Sequence, residues 1–388
     1  TGAIHIVDED KAVFEALPLG PTSAIHVPSL QAVPRVPVID EDACIHFRTR
    51  DRGLDEGCGV CELLCEAHAI SFEAKEEFLD LEVGAIILAT GFENFQPDSL
   101  SQYGYGQSPN VLSGIEFERM SNSAGPTGGE IITADGAKPE RVAIIHCVGS
   151  RDKHSHEYCS RVCCMYALKQ AHLVRDKTDA DVYEFYMDMR TFGKGYEEFY
   201  ERILEEGVIF VRGRGTEVVV EKDGKLTVKA EDTNLGKPVS ATVDMVILGA
   251  GIVPQPDAAE VAQTFGISRS ADGFFMEAHP KLRPFHTNTD GVFLAGACQA
   301  PRDIPDTVAH ATAAAAEALV LMDSGEVTIS PTIAVVVEEL CSGCKTCLDL
   351  CPYRAIEFIE IDAVGAEAGE GLIRGIARVN EALCKGCG

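Results

Sequence analysis

The chain has 388 residues, 46% of them hydrophobic, with 33 Lys and Arg against 61 Asp and Glu and a formal net charge of −28 at pH 7. That length sustains two or three domains with cores of their own. The charge argues against a nucleic-acid partner, and with no apolar run near 18 residues neither a transmembrane segment nor a secretory signal is expected.

In chain order, residues 3–14 (AIHIVDEDKAVF) read as a strand and its connection. Residues 36–75 form a compact cysteine unit. Residues 81–91 (LEVGAIILATG) read as an apolar strand closed by glycine, and 92–138 as loop. Residues 141–149 (RVAIIHCVG) are a second buried strand, with a helix over 163–177 and a strand in 179–189 (DADVYEFYMDM). Residues 195–207 (GYEEFYERILEEG) form an amphipathic helix with Tyr196, Phe199, Ile203 and Leu204 on one face. VIFVRG (208–213), TEVVVEKDGKLTVKAED (216–232, a hairpin turning at KDGK) and SATVDMVILGAG (240–251) read as strands. GVFLAGA (291–297) is a further buried strand. A long helix starts at Pro305 and Asp306 and ends at Gly325. Strands alternating with helices predict open α/β sheets. Beginning at Thr1 and stopping at CKGCG, the sequence is expected to be part of a longer chain.

Fifteen cysteines are clustered at spacings of two and three. That suits metal or iron–sulfur ligands in a reducing cytoplasm better than a disulfide framework. The tail run CSGCKTCLDLCP places Cys341, Cys344, Cys347 and Cys351 as in bacterial ferredoxins, and Cys384 and Cys387 open a second run. In such pairs the fourth cysteine crosses over. Cys341, Cys344 and Cys347 then share one cluster, and Cys351, Cys384 and Cys387 serve the other. A zinc ribbon is the alternative. Near the front, CGVCELLC supplies Cys58, Cys61 and Cys65, with Cys44 upstream, for one 4Fe–4S cluster; zinc is again the alternative. AHAISF after Cys65 resembles the ferredoxin C-P-x-x-A-I continuation, with Glu66 in place of proline.

The strand ending at residue 148 should lead into a glycine-rich dinucleotide turn, yet no intact G-x-G-x-x-G occurs anywhere. The nearest equivalent, CVGSRD, puts Cys147 at the first glycine, Gly149 at the second and Asp152 at the third. A pyrophosphate needs that tight turn and a free helix N-terminus. Cys147, Cys159, Cys163 and Cys164 suggest an iron–sulfur cluster where nicotinamide would sit, against the blander reading of buried structural thiols. Thr90 and Gly91, then Gly296 and Ala297, end strands in an order that suits a flavin. Free N–H groups near Asp306, Thr307 and Val308 would face its negative charge. Cys298 reads as a small packing residue, and Arg190, Lys194 and Glu197 as surface or packing.

The stretches LQAVPRVPVID…CGVCELLCEAHAISF, VGAIILATGF, CVGSRDKHSHEYCSRVCCMYALKQA, YMDMRTFGKGYEEFY, GVFLAGACQAPRDIPDTVAHA and CSGCKTCLDLCP resemble the A-type subunits of heterodisulfide reductase, the HdrA-like family, over nearly the whole length. The resemblance implies an α/β, thioredoxin-reductase-like flavoprotein with two dinucleotide-binding domains, an inserted ferredoxin unit and a C-terminal α+β ferredoxin domain. The corresponding boundaries are 1–35, 76–138 and 251–327 for the FAD-binding domain. They are 36–75 for the inserted unit, 139–250 for the NAD(P)-domain-like unit carrying a cluster, and 328–388 for the tail. It implies FAD and about four 4Fe–4S clusters, two of them in the tail. Family members often carry a further cysteine at the position of Ile144, and the family's first FAD glycine fingerprint falls before Thr1.

The activity so implied is electron transfer with flavin-based bifurcation, an electron pair being split between ferredoxin and a higher-potential acceptor. The disulfide chemistry belongs to partner subunits, and no catalytic side chain is expected here. The implied partners are B- and C-type subunits, ferredoxin and a hydrogenase or formate dehydrogenase module, in a multi-subunit and dimeric assembly. Competing readings are an NAD(P)H:acceptor flavin oxidoreductase, a subunit of a quinone-linked or benzoyl-CoA reductase complex, and a scaffold whose clusters only support docking.

Overall fold

A computed structural model describes residues 24–27, 36–50, 57–72, 78–123, 125–327, 332–351, 353–362 and 373–386. The strand expected in residues 3–14 and the ligand expected at Cys387 lie outside the described residues. The chain divides into two compact units: residues 1–80, 96–148 and 163–250 in one, and 81–95, 149–162 and 251–388 in the other.

The first unit is organised by five parallel strands: β5 (Val111–Ser113), β6 (Arg141–Val148), β7 (Asp181–Tyr186), β8 (Ile209–Arg212) and β12 (Met245–Ala250), in the order β5-β12-β6-β7-β8. The run VAIIHCV in β6 and the whole of β12 are buried, as strands covered on both faces must be. Helix α3 (Gly114–Ser121) is fixed by a capping box between Ser113 and Glu116. Helix α4 (Cys163–Lys177) crosses from β6 to β7 and buries Cys163, Cys164, Ala167, Leu168, Ala171 and Val174. Each large apolar side chain so buried contributes about 1.5–3 kcal/mol.

Helix α5 (Tyr196–Glu205) crosses from β7 to β8 and buries Ile203, with Phe199 and Tyr200 against the core. Leu204, expected on that face, is 44% exposed, because the stripe runs 196, 199–200, 203 and leaves 204 one step round the helix. A three-stranded antiparallel meander follows: β9 (Gly215–Val220), β10 (Leu226–Asp232) and β11 (Lys237–Val243). The single strand expected over 240–251 is therefore two. Asp244 breaks it, its carboxylate accepting hydrogen bonds from the N–H groups of Glu140 and Arg141, both at 2.9 Å, and from Lys225 at 2.9 Å. These ties start β6 and β12 side by side.

Shorter elements toward the front of the same unit are β1 (Ile25–His26), β2 (Val38–Ile39), α1 (Ile45–Arg50) and α2 (Val60–Leu64), with β1 and β2 antiparallel.

In the second unit, β3 (Ile86–Leu88) runs parallel to β14 (Val292–Leu294), and β4 (Glu93–Asn94) antiparallel to β13 (Ile252–Val253). The strand expected over 81–91 is thus shorter: Leu81 and Val83 are exposed. Helix α6 (Ala258–Thr264) and the 21-residue α7 (Ile304–Ser324) complete this part. Asp303 caps α7, Pro305 sits in its first turn, and left-handed Gly325 closes it. Helix α8 (Thr346–Leu350) and the hairpin of β15 (Ile356–Asp362) and β16 (Ile373–Val379) form the tail. Among the described residues, no helix is long and apolar enough to cross a membrane.

Candidate functional site

The parallel sheet reverses its strand order between β12 and β6, and ligands in such sheets bind beyond the strand C-termini at that point. Cys147 stands there. Its φ is +59°, in the left-handed region, followed by Gly149 at +74°. The turn thus keeps the backbone conformation a glycine would take while carrying a side chain, at a cost of about 1 kcal/mol. The register shifts here too: β6 spends two residues, His146 and Cys147, against Gly249 of β12, a bulge of the kind that re-aims side chains beside functional sites. Cys163 and Cys164 open α4. Both are 5% exposed, as is Cys147, and both sulfurs lie against carbonyls, of Ala250 at 3.7 Å and Asp188 at 3.8 Å. Ile144, where the resemblance led to a further cysteine, is wholly buried in the core.

Cys159 lies on the connecting loop, where its sulfur accepts the N–H of Arg161 at 3.3 Å. In that loop's unit, Phe95 packs on Gly149: a Cβ there would fall 2.3 Å from the ring. The space that a side chain at Gly149 would take is filled by phenyl.

Sequence reasoning missed two residues beside these thiols. His146 Nε2 lies 2.8 Å from Glu184 Oε2, with side-chain exposures of 1% and 0%. Burial opposes charge on His146, but Glu184 and neighbouring Cys164 outweigh it and push the pKa up to about 10. Burial likewise opposes a Cys164 thiolate, yet His146 and the Arg190 N–H hold the thiol below its ordinary value. The signal in the sequence was a histidine and a glutamate, each inside an otherwise largely apolar or aromatic strand run, IIHCV and VYEFY.

The other thiols repeat one local structure. Helices α2 and α8 each have five residues and end at a cysteine, Cys65 (φ −77°, ψ 99°) or Cys351 (φ −76°, ψ 109°). Three residues on, His68 and Arg354 have φ of 49° and 48°. One residue further, Ala69 and Ala355 each direct an N–H to the thiol sulfur at 3.4 Å. Asp40 and Asn380 likewise hold the N–H groups of Ala43 and Ala382, both at 3.1 Å, in turns that deliver buried Cys44 and Cys384. Cys384 and Cys341 accept N–H bonds from Ala334 at 3.3 Å and Ala377 at 3.5 Å. Thr346 draws exposed Cys344 down to about 7. Cys58, Cys61 and Cys347 are half-buried in these same motifs.

No disulfide joins any of the described cysteines, and N–H groups aimed at sulfur suit thiolate ligands of iron. Among the described residues, no three His, Cys, Asp or Glu close on a point as ligands of one metal ion. The donor set is sulfur-rich, with thiols on turns, on short helices and at the end of β6, and it fits iron–sulfur chemistry.

In the second unit, Gly91 (φ +76°) and Gly296 (φ +75°) follow the parallel strands β3 and β14; a Cβ at Gly91 would meet no atom within 4 Å, whereas one at buried Gly296 would fall 3.0 Å from Thr307 Cγ2. Gln255 Nε2 donates to the carbonyls of Thr90 and Phe92 at 3.3 and 2.9 Å, a clamp not foreseen from the sequence. This backbone fits the approach of a flavin nucleotide. The α7 N-terminus differs from expectation. The N–H groups of Asp306 and Thr307 are not free but bound at Asp303, both at 2.9 Å; that of Val308 lies within the helix, and the Asp306 carboxylate pairs with Arg161 at 2.8 Å. Ala297 is buried at the Gly296 turn, where His310 Nδ1 accepts the Gly296 N–H at 2.9 Å. Cys298 is 3% exposed, donates to Leu88 and Ala295 carbonyls at 3.2 Å, and is pushed up by burial. Glu197 bonds the Thr191 hydroxyl, and Lys194 is exposed.

The family described as pyridine nucleotide-disulphide oxidoreductase matches residues 177–318, and the 4Fe-4S binding domain matches 334–357. The A-type subunit of the H(2):CoB-CoM heterodisulfide,ferredoxin reductase of Methanothermobacter marburgensis is 50% identical over 346 residues, 88% of this chain and 51% of that protein. The second of two A-type iron-sulfur subunits of the CoB--CoM heterodisulfide reductase of Methanopyrus kandleri is 50% identical over 351 residues, 89% and 52%. This chain therefore spans about half the length of these relatives. A T. acidophilum thioredoxin reductase structure aligns with 62% of this chain and 66% of its own at TM-score 0.42 and 16% identity, too loosely to carry an argument. Over nearly nine-tenths of its own length, the chain is similar to heterodisulfide reductase A-type subunits.

Proposed function

We propose that the chain is an electron-carrying oxidoreductase subunit of a heterodisulfide-reductase-type complex, holding FAD and 4Fe–4S clusters and dividing electron pairs between ferredoxin and a higher-potential acceptor. The observation that carries this reading is the turn after β6, where a thiol takes the first glycine position and Phe95 covers Gly149. The pyridine nucleotide-disulphide match begins at residue 177, after that turn. The names of the relatives, which join heterodisulfide and ferredoxin, support the same reading.

The ligands we assign are Cys147, Cys159, Cys163 and Cys164 for one cluster and Cys44, Cys58, Cys61 and Cys65 for a second. Cys341, Cys344 and Cys347, then Cys351, Cys384 and Cys387, serve the tail. FAD, when bound, exchanges electrons in pairs or singly, and each cluster singly. Thr90, Gly91, Gly296 and Ala297 offer backbone to the flavin nucleotide, and Gln255 holds the Thr90–Phe92 loop in place. Asp306, Thr307 and Val308 contribute the first turn of α7, and the domain boundaries follow the family arrangement. Partners of B and C type, with a hydrogenase or formate dehydrogenase module, complete the assembly, and disulfide reduction occurs on them.

The test is made on the full-length protein in its complex, purified without oxygen. Replacing Cys163 and Cys164 by serine should remove about four iron atoms per chain, and NADH alone should leave the flavin yellow. Unchanged iron, or prompt bleaching by NADH, would sink the reading.

A further inference from the structure

The tail meets residues 251–327 of its own unit at Lys385 and Arg354. Lys385 Nζ donates to Asp290 Oδ2 at 2.7 Å, and the other oxygen of Asp290 lies 3.4 Å from Arg283 Nη2. The Lys385 and Asp290 side chains are 25% and 20% exposed, and the carboxylate is shared between two cations. Such a pair is screened less than a freely solvated one. Asp290 stands two residues before β14, the strand that leads to the Gly296 turn. Arg354 Nη1 donates at 3.4 Å to the carbonyl of Gln263, in the last turn of α6.

Both contacts come from the ligand loops of one cluster. Lys385 lies between Cys384 and Cys387. Arg354 is the left-handed residue three beyond Cys351, and the next N–H, of Ala355, meets the Cys351 sulfur. Cys384 is 8% exposed. The set of Cys341, Cys344 and Cys347 is placed the opposite way. Among the described cysteines only Cys344 is exposed, and Glu338, Glu339 and Leu340 ahead of it are open to solvent, Leu340 at 82%.

We propose that the two tail clusters have different places in the relay. The one assigned to Cys351, Cys384 and Cys387 is the inner member, seated on residues 251–327 by Lys385–Asp290 and Arg354–Gln263. The one assigned to Cys341, Cys344 and Cys347 is the outer port, where a ferredoxin exchanges electrons. Lys385 and Asp290 are positioning residues for the inner step. This rests on the ligand assignment and the ferredoxin-linked function proposed above. Each transfer moves one electron: the reduced ferredoxin is oxidised, and the electron passes the outer set, then the inner set, on its way to the flavin. No bond forms or breaks.

The test uses the full-length protein in its complex, mixed rapidly with reduced ferredoxin. Electron paramagnetic resonance follows the clusters and absorbance follows the flavin. The tail's signals are those missing from a Cys341→Ser/Cys384→Ser variant. In Asp290→Asn, iron content and the rise of the tail signals should match wild type, while flavin reduction slows about threefold, the scale of a partly exposed ion pair. Leu340→Glu, beside the outer set, should instead slow the rise of the tail signals themselves. Carbodiimide, which joins a touching amine and carboxylate without a spacer, should link Lys385 to Asp290 in wild type, as read by peptide mass spectrometry. A wild-type rate of flavin reduction in Asp290→Asn, or no such link, overturns the seat. Tail signals slowed in Asp290→Asn but not in Leu340→Glu reverse the order and overturn the inference. Wild-type tail signals that never rise with ferredoxin sink the proposed function, and the inference with it.

Discussion

The thiols of this chain are held in two different ways. At Cys65 and Cys351 one short pattern occurs twice: a five-residue helix, a cysteine, a left-handed residue three further on, and an N–H returned to the sulfur. There the side chains of α2 and α8 include no buried residue, and packing near them is limited to small groups such as Phe72 stacked on His46. At the end of β6 the thiols are additions to a sheet that has its own reasons to fold, with Val142, Ile144, Leu168 and Ile247 wholly buried around it. Sulfur presented by a turn should depend on the metal for order. Sulfur mounted on a packed sheet should not.

Iron removal gives the largest contrast. Chelation under reducing conditions should abolish hydrogen-exchange protection in β15 and β16 while β6 and β12 keep theirs. Loss of protection from both together would break the distinction.

A middle-sized effect comes from the sheet's own ties. Asp244→Ala removes the acceptor for two backbone N–H groups and Lys225, and should cost about 2 kcal/mol in urea unfolding with no loss of iron. Despite some burial, Lys225 and the two N–H groups hold this carboxyl below its usual range. A depressed carboxyl stabilises the fold above its ordinary value near 4, and the benefit is lost as pH falls through the lowered one. The gap between wild type and variant should therefore be full at pH 7 and close in acid.

The smallest effect sharpens the likeness of the two turns. Cys65 and Cys351 have nearly the same φ and ψ, both compatible with a following proline, and Pro352 follows Cys351. Glu66→Pro should change stability by less than about 1 kcal/mol, in the stabilising direction. A larger loss would show that the two turns only look alike.

Much of the sheet was legible because its signals are local. Helix α4 spans the expected 163–177, and the KDGK turn joins β9 to β10. Part of what escaped depends on distant partners. Asp244 ends a strand because residues 140 and 141 lie beside it, about a hundred positions away. The N–H groups at the start of α7 are taken by Asp303, a local cap that the sequence does carry, one residue before the helix. The thiols were visible as a pattern. The histidine and carboxylate behind them were hidden because an isolated polar residue in an apolar strand gives no hint of which neighbour it meets.

The left-handed backbone at Cys147 has a thermodynamic consequence. A glycine there would relieve about 1 kcal/mol of strain, so the fold itself pulls toward losing the sulfur. A folding-only selection experiment on this domain would drift to the unliganded turn. The cysteine persists only where something other than stability is being rewarded.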